Sequence, residues 1–532
     1  MQNSFIQYTY LLLIILAFDM IADKLRLPYP IVLVIGGLAL SFINIFPSVS
    51  IKPELVFSIF LPPLLYEAAW QVSWKEFWRW RRVIISFAFP IVIITACVIA
   101  IVSSVLIPDF TLALGFLLGG IISPPDAVSA TTIMRQVGAP KRLISVTEGE
   151  SLLNDASSLI IFRFAVAAIM TGEFNLKLAG IDFLVVVIMG IFVGIAVGLI
   201  FYGIHRWLPT TPSIEIVLTL VTPYFMYFIA EHFNFSGVLA VVSGGLFLSD
   251  KRQKLLSFES RIQGVNVWTN LIFVLNGLIF LLIGLQLRSI ASELGNISLL
   301  RAMAYGLIIS LVLIITRLIC TLGASPFTRF MSHFIKVADP DPGWRTPLIY
   351  GWAGMRGVVS LAAALSIPVL ISEGHFFPYR NLILFITFIV ILVTLVLQGL
   401  TLPWLIRKVR PDTEESGFLT VRNQELTIRK KISSSSLEFL DHKCKEQRYR
   451  NKHIGILYER LESDLDYFNL QAESEEDNDD MLASYQKIYL ELLQHQRNVL
   501  NEMNKDEAYD EELIRRYFSL IDMEEYYIRE KL

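Results

Sequence analysis

The stretch GFLLGGIISPPDAVSA, residues 115–130, begins as a membrane helix and cannot finish as one. Pro124 and Pro125 each remove a backbone donor, and Gly119 and Gly120 loosen the turn before them. The helix is predicted to break inside the bilayer. Free carbonyls and amides at that depth are tolerated only where they line a cavity or find partners. Asp126 follows the break directly, where its negative charge suits the positive end of the second half-helix. A second weak point is GWAGMRGVVSLAAA, residues 351–364, with Gly351, Gly354 and Gly357 around Arg356. There a positive charge complements the carbonyl end of a half-helix.

Outward from these two stretches the chain is one apolar run after another. Of its 532 residues 54% are apolar and 17% charged, against about 25% charged in a soluble domain. The mean hydropathy is +0.57. Nearly all of the charge deficit falls before residue 406. Runs long enough for a hydrocarbon core give about thirteen spans, with limits near 5–22, 29–46, 54–71, 83–107, 111–134, 145–171, 180–204, 213–232, 236–250, 266–287, 299–322, 346–370 and 382–405. The interrupted spans are the fifth and the twelfth, seven apart. Seven is odd, so the halves starting at spans one and eight run through the membrane in opposite senses. Interrupted spans at matching places in two halves point to a transporter with inverted repeats. The expected fold class is therefore all-α, a polytopic membrane protein with two inverted repeats and discontinuous helices.

The first run, about Phe5 to Ile21, lacks a basic leading region and a small-residue cleavage site, so it reads as a span. Cys97, Cys320 and Cys444 are too far apart for a disulfide framework or a zinc site. The net charge of −3 averages two chemistries and says little about partners.

Lysines and arginines set the orientation. One side carries Lys24, Arg26, the Lys75–Arg82 stretch, Arg135, Lys141, Arg142, Arg206, the Lys251–Arg261 stretch, Arg329, Lys336, Arg345, Arg407, Lys408 and Arg410. The other side carries Lys52, Lys177, Arg288, Arg301 and Arg380. The ratio is about 20 to 5 and alternates loop by loop. It puts the N-terminus outside and the C-terminus in the cytoplasm of a multi-pass cell-membrane protein. Residues 411–532 are polar, with helical spacing at Leu457, Leu461, Leu465 and Phe468 and again at Leu482, Tyr485, Ile488 and Leu492. They are expected to form a helical cytoplasmic domain. The acidic run Glu473–Asp480 reads as a solvated linker, since it lacks the spaced ligands and glycine of a calcium loop.

Ionisable groups at mid-membrane cost roughly 2.5–3.5 kcal/mol on insertion scales, so each needs a reason. The sixth span contains GESLLNDASS, residues 149–158. Asp155 lies about ten residues, or about 15 Å, from the charged end, the midplane of a core about 30 Å thick. Glu150 and Asn154 stack one turn apart, as do Ser151 and Asp155 on a neighbouring face. Holding helices together needs only a hydroxyl or an amide, so two acids point to function. Arg317, deep in the eleventh span, makes Glu150 the expected partner of a buried ion pair. Glu67, in the third span after LPPLLY, suits either the cation path or a helix interface.

FLPPLLYEAAW at 60–70, SPPDAV at 123–128, GESLLNDAS at 149–157 and GMRGVVSLA at 354–362 follow one another in an order that resembles the sodium/proton exchanger branch of the cation/proton antiporter superfamily. The resemblance covers residues 5–410. It implies a core domain of spans 4–6 and 11–13 moving against a dimerisation domain of spans 1–3 and 7–10. It also implies Asp155 as the carrier of Na+ or H+, with Ser151 and Glu67 as auxiliary cation ligands and Glu150–Arg317 as a structural ion pair. Asp126 and Arg356 match the charges of the two unwound helices. Family members often carry Thr where Pro125 stands, so a hydroxyl is replaced by, at most, the Pro125 carbonyl. The Asn154–Asp155 pair resembles the electroneutral members. The implied partners are Na+ and H+ as cargo, membrane lipid and a second copy of the chain, with no cofactor and no nucleic acid.

One mid-membrane carboxylate has room for a proton or a hard cation. Burial disfavours the bare charge, and either guest neutralises it. If movement requires neutralisation, one sodium crosses for each returning proton. Asn154 does not titrate and adds no second proton. Oxygen ligands suit hard cations, but they leave potassium open beside sodium and lithium. A gated channel or a membrane sensor is the competing class; a channel needs a continuous polar lining, whereas these groups gather at one level. An enzyme is disfavoured, because His205, His232, His333 and His375 fall near span ends or in loops, away from Ser151.

Overall fold

The computed structural model describes residues 2–25, 27–42, 56–172, 176–294, 297–333, 339, 343–372, 375–411, 421–444, 451–473, 479–503 and 511–531. Arg26, Lys52, Lys336 and residues 474–478 of the acidic run lie outside them. The chain divides into two compact units, Met1–Thr413 and Glu414–Leu532.

The first unit is a helical bundle. Among the described residues, eight of its segments are long and apolar enough to cross a membrane: Trp74–Leu106, Leu112–Gln136, Lys141–Thr171, Gly180–Trp207, Pro212–His232, Phe258–Ser292, Leu299–Phe330 and Arg380–Val409. In chain order the helices are α1 (Gln2–Leu25), α2 (Tyr29–Ser41), α3 (Leu61–Gln71), α4 (Trp74–Ser86), α5 (Val92–Leu106), α6 (Leu112–Ile122), α7 (Ala127–Gln136), α8 (Lys141–Thr171) and α9 (Leu176–Trp207). They continue as α10 (Pro212–His232), α11 (Gly237–Leu255), α12 (Phe258–Ser292), α13 (Leu299–Ser332), α14 (Arg345–Trp352), α15 (Val358–Leu365), α16 (Arg380–Val393) and α17 (Gly399–Val409). Single π turns lead into α3 at Val56–Phe60, join α4 to α5 at Phe87–Ile91 and join α16 to α17 at Thr394–Gln398.

The first break is narrower than the sequence suggests. Thr111 caps α6 by accepting from the Leu114 N–H at 3.3 Å, and the helix runs through Gly119 and Gly120 to Ile122. Only then does the diproline stop it, and Asp126 caps α7. The glycines serve packing instead. A Cβ on Gly119 would meet the Ala96 carbonyl oxygen at 2.6 Å, and one on Gly120 would meet the Phe162 nitrogen at 3.0 Å. Small residues at such positions let helix backbones approach closely. The second break lies between α14 and α15, at residues 353–357.

Helix α8 spans 31 residues, starting after Pro140 and closing on Gly172 in the left-handed region at φ 73°. One side packs on α4, α6, α7 and the π turn Phe87–Ile91. On another side Leu152 and Ala156 join an apolar cluster with Leu65 and Tyr66 of α3 and Val238, Leu239 and Val242 of α11. The expectation of a purely α-helical chain needs one correction. After α15, Leu370–Ser372 and His375–Phe376 pair as an antiparallel β-hairpin. Pro368 prevents the helix from continuing, and the run Val369–Ile371 suits a strand.

The second unit holds α18 (Val421–Cys444), α19 (Lys452–Glu473), α20 (Asp479–Met503) and α21 (Glu511–Lys531). α18 packs on α19, and α20 on α21. The buried apolar residues include Tyr458, Leu493, Ile514, Ile521 and Ile528, whereas Leu457, Tyr485, Ile488 and Leu492 are exposed. The spacing noted in the sequence therefore marks helices without marking the faces that pair. Arg497 of α20 bridges Asp522 at 2.7 Å and Glu525 at 2.6 Å on α21.

Candidate ion-binding site

Each end of the two broken helices is met by a charge or a donor. Asp126 accepts from the Val128 N–H at 3.2 Å through Oδ1, and its own N–H donates to the Met355 carbonyl at 2.7 Å. Its Oδ2 is buried without a hydrogen bond and lies against Gly357, the residue before α15. One carboxylate thus faces the N-terminal ends of both α7 and α15, where the helix dipoles favour negative charge. Arg356 does the reverse. It donates to the carbonyls of Ile122 at 2.8 Å and Ser123 at 3.1 Å, at the end of α6, and to Gly354 at the end of α14. Its backbone N–H donates to Thr394 Oγ1 at 3.1 Å, in the π turn of the last membrane segment. The crossing thus supplies partners for the freed carbonyls of Ile122, Ser123, Gly354 and Met355 and for the amides of Asp126, Val128 and Arg356.

Helix α8 lies beside the crossing and is laced to it. Asn154 donates from Nδ2 to the Pro125 carbonyl at 3.0 Å, and Ser151 Oγ accepts from the Ala127 N–H at 3.2 Å. Ser158 donates to the Gly120 carbonyl at 2.5 Å. Ser157 donates to the Ala88 carbonyl at 2.6 Å, a group in the π turn around Pro90. Asp155 is 6% exposed, and among the described residues no hydrogen bond reaches its carboxylate. Asp126 is the charge that acts on it. The Asn154 Oδ1 is likewise buried without a partner. Oxygens without hydrogen bonds on a carboxylate, an amide and a second carboxylate, with the Ser151 hydroxyl on the same helix as two of them, are donors of the hard type that a monovalent cation or a proton prefers.

Glu150 and Arg317 meet in two hydrogen bonds of 2.8 and 3.0 Å, both side chains at most 3% exposed. Arg317 also donates to the Tyr350 carbonyl at 3.3 Å, which ties α8, α13 and α14 together. Its stem passes over Gly354, where any Cβ would collide with it. Glu67 is half-buried and accepts from Gln71 on its own helix, and the charges acting on it are Glu148 and Arg135.

Several contributors carry no sequence signal. Thr394 is one hydroxyl in an apolar run, and nothing local says that it meets Arg356. Ser157 and Ser158 stand inside the quoted motif, but only packing reveals their carbonyl partners. Tyr29, hydrogen-bonded to Asn276 and within electrostatic reach of Asp126 and Glu67, is equally silent in the sequence.

A membrane bundle in which two interrupted helices cross beside an unpaired buried carboxylate has the build of a secondary transporter. The family model described as "Sodium/hydrogen exchanger, transmembrane" matches residues 9–408, and the chain belongs to that family. It is 33% identical over 407 residues to the sodium, potassium, lithium and rubidium/H+ antiporter of Bacillus subtilis, an alignment covering 74% of this chain and 60% of that protein. It is 30% identical over 445 residues to the low-affinity Na+/H+ antiporter NhaS1 of Synechocystis, covering 80% and 79% of the two. Among solved structures it is similar to the sodium/proton antiporter MjNhaP1 of Methanocaldococcus jannaschii, with a TM-score of 0.63, 19% identity, and coverage of 77% of this chain and 99% of that one. That likeness concerns the fold.

Proposed function

We propose that the chain is a secondary antiporter exchanging Na+, and Li+ with it, for H+ across the cell membrane, with both guests competing for Asp155. The observation that carries this is a buried carboxylate without a hydrogen bond beside four other charges. At formal charge the buried Asp126 and Glu150 are negative and the buried Arg317 and Arg356 positive, so these four cancel. Asp155 alone leaves the group one negative charge in excess. A single Na+ or a single H+ removes the excess, whereas both together, or neither, leave a net charge at mid-membrane, which is costly. Ser151, Asn154, Glu67 and the Pro125 carbonyl are the auxiliary oxygens for the cation. The Pro125 carbonyl already takes the Asn154 amide proton, so it offers its second lone pair.

In this reading the membrane unit has thirteen spans in two inverted six-helix repeats, N-terminus outside and C-terminus cytoplasmic. Spans 4–6 and 11–13 move as one body against spans 1–3 and 7–10, and the latter hold a homodimer together. Exchange is electroneutral because Asn154 does not titrate. It serves sodium tolerance and pH homeostasis, and it needs no cofactor. The test is cation-dependent proton flux in proteoliposomes, comparing sodium, lithium and potassium. Saturable proton release on adding sodium is expected, without a membrane potential developing. Absence of coupled proton movement with every cation rejects exchange. Potassium is the second reading, favoured by the breadth of cations in the name of the Bacillus relative; a stronger response to potassium than to sodium would establish it.

A further inference from the structure

Helix α8 carries charges towards both of its ends, and they are paired in different ways. Before the site, Glu148 accepts from Arg135 of α7 at 2.6 Å. α7 and α8 pack side by side, so this pair stays among close neighbours. Beyond the site, Arg163 stands eight residues past Asp155, about 12 Å along the helix. It donates two hydrogen bonds to Glu231 in the last turn of α10, at 2.7 and 2.6 Å. Glu231 also accepts from the backbone N–H of Gly237 at 3.1 Å, at the start of α11. The carboxylate is thereby fixed where α10 hands over to α11, and Arg163 reaches it from the helix that bears Asp155.

The contact between α8 and these helices is otherwise apolar near the site. Leu152 and Ala156 lie against α3 and α11 without a directional bond. Such a face permits sliding, whereas a charged hydrogen bond from Arg163 Nη2 to both Glu231 oxygens favours one register. Arg163 is 43% exposed and Glu231 29%, so the pair lies at the surface of the bundle and not in its core.

We propose that Arg163 and Glu231 form a clasp that seals Asp155 from their side of the membrane and opens on each visit of the ion site to that side. The clasp rests on the alternating access of the function proposed above, in which this end of α8 faces outwards. It stabilises the outward-closed conformation. Weakening it moves population towards the outward-open one, so the affinity for cations offered outside rises relative to that for cations offered inside, the ratio of the two changing by the factor the clasp was worth.

The test is sodium-dependent proton flux in right-side-out and everted vesicles. Arg163→Gln is expected to raise the ratio of internal to external KM for sodium by about two- to fivefold, the range of an exposed ion pair. Arg163→Lys, which keeps the charge on a side chain without the guanidinium, falls between. The charge swap Arg163→Glu with Glu231→Arg returns both KM values towards wild type. A merely structural contact would lower flux on both sides alike. KM values that stay in place or move together in Arg163→Gln overturn the clasp, as does a swap that leaves the asymmetry uncorrected. Wild-type vesicles with no cation-driven proton flux would instead overturn the exchange reading, and the clasp with it.

Discussion

Asn154 hands its amide proton to the carbonyl of Pro125 at 3.0 Å, while its neighbour Asp155 keeps both oxygens free of hydrogen bonds. Adjacent residues on α8 thus divide the work. One fastens the helix to the broken stretch of backbone, and the other, in the function proposed above, is left for a guest. Asp155→Asn should leave the protein folded, since no protein contact depends on that carboxylate, yet abolish exchange in everted vesicles. Unimpaired sodium–proton exchange in a correctly inserted variant would end the account of Asp155.

Asn154→Ala acts differently. It removes a donor from a buried carbonyl, which costs about 1–3 kcal/mol, and frees the break between α6 and α7. The expectation is lower thermal stability in detergent together with weakened, not abolished, exchange. An Asn154→Ala protein as stable as wild type would show that the bond to Pro125 is not needed to hold the crossing.

Much of this was legible in the residues, and the reason is cost. Two prolines in an apolar run, an arginine among glycines and two acids on one helix are too expensive in a bilayer to be accidental, so Asp126, Arg356, Glu150 and Asp155 stand out in the sequence. The glycines misled by half. Gly119 and Gly120 looked like part of the break, but closeness of helix backbones demanded them, and closeness is a property of the partner helix. Thr394 and Arg163 stayed hidden because each takes its meaning from a residue far away in the chain, Arg356 or Glu231. The β-hairpin was lost inside an apolar run, where three strand residues cannot be told from the end of a helix.

The pair Glu150–Arg317 is buried and doubly hydrogen-bonded, so removing either partner strands the other charge. Glu150→Gln or Arg317→Met alone should each destabilise by about 3–5 kcal/mol. Replacing both by apolar residues of similar size should cost less than the sum of the single changes. Thermal unfolding in detergent, read as a double-mutant cycle, measures this; additive losses would mean that the two charges do not depend on each other.

In the second unit, hydrogen bonds from Arg529 and Arg497 hold the Glu525 carboxyl below the usual carboxylate range. A depressed folded value means that the contribution is complete above the unfolded glutamate value of about 4.3. It is lost as pH falls through the lower folded value. The protection of α20 and α21 against hydrogen exchange, corrected for the intrinsic pH dependence of amide exchange, should therefore be flat from neutral pH downwards and fall only below about pH 4. In Arg497→Ala that acid-dependent step should shrink. The same step persisting unchanged in the variant would assign it to other carboxylates.

Gly357 offers the sharpest probe of the crossing, because it tests packing without touching a charge. Its φ of −140° lies outside the left-handed region, and what an added Cβ would meet is the nearer question. It would meet the Asp126 carboxylate, since a methyl group at 357 would occupy the place of Oδ2. Asp126 cannot retreat easily: Oδ1 is bound to the Val128 N–H, and its backbone N–H is bound to Met355. Gly357→Ala must therefore drive the carboxylate off the start of α15 or push α15 away from α7. Overpacking of this kind costs about 1–3 kcal/mol, and the N-terminal end of α15 loses its negative partner as well. The expected result is lower thermal stability and strongly reduced exchange. Gly323→Ala is the control, a helical glycine with nothing within 4 Å of an added Cβ, and it should match wild type in both. If Gly357→Ala were as active and as stable as that control, the carboxylate of Asp126 would not be the group that serves both helix ends.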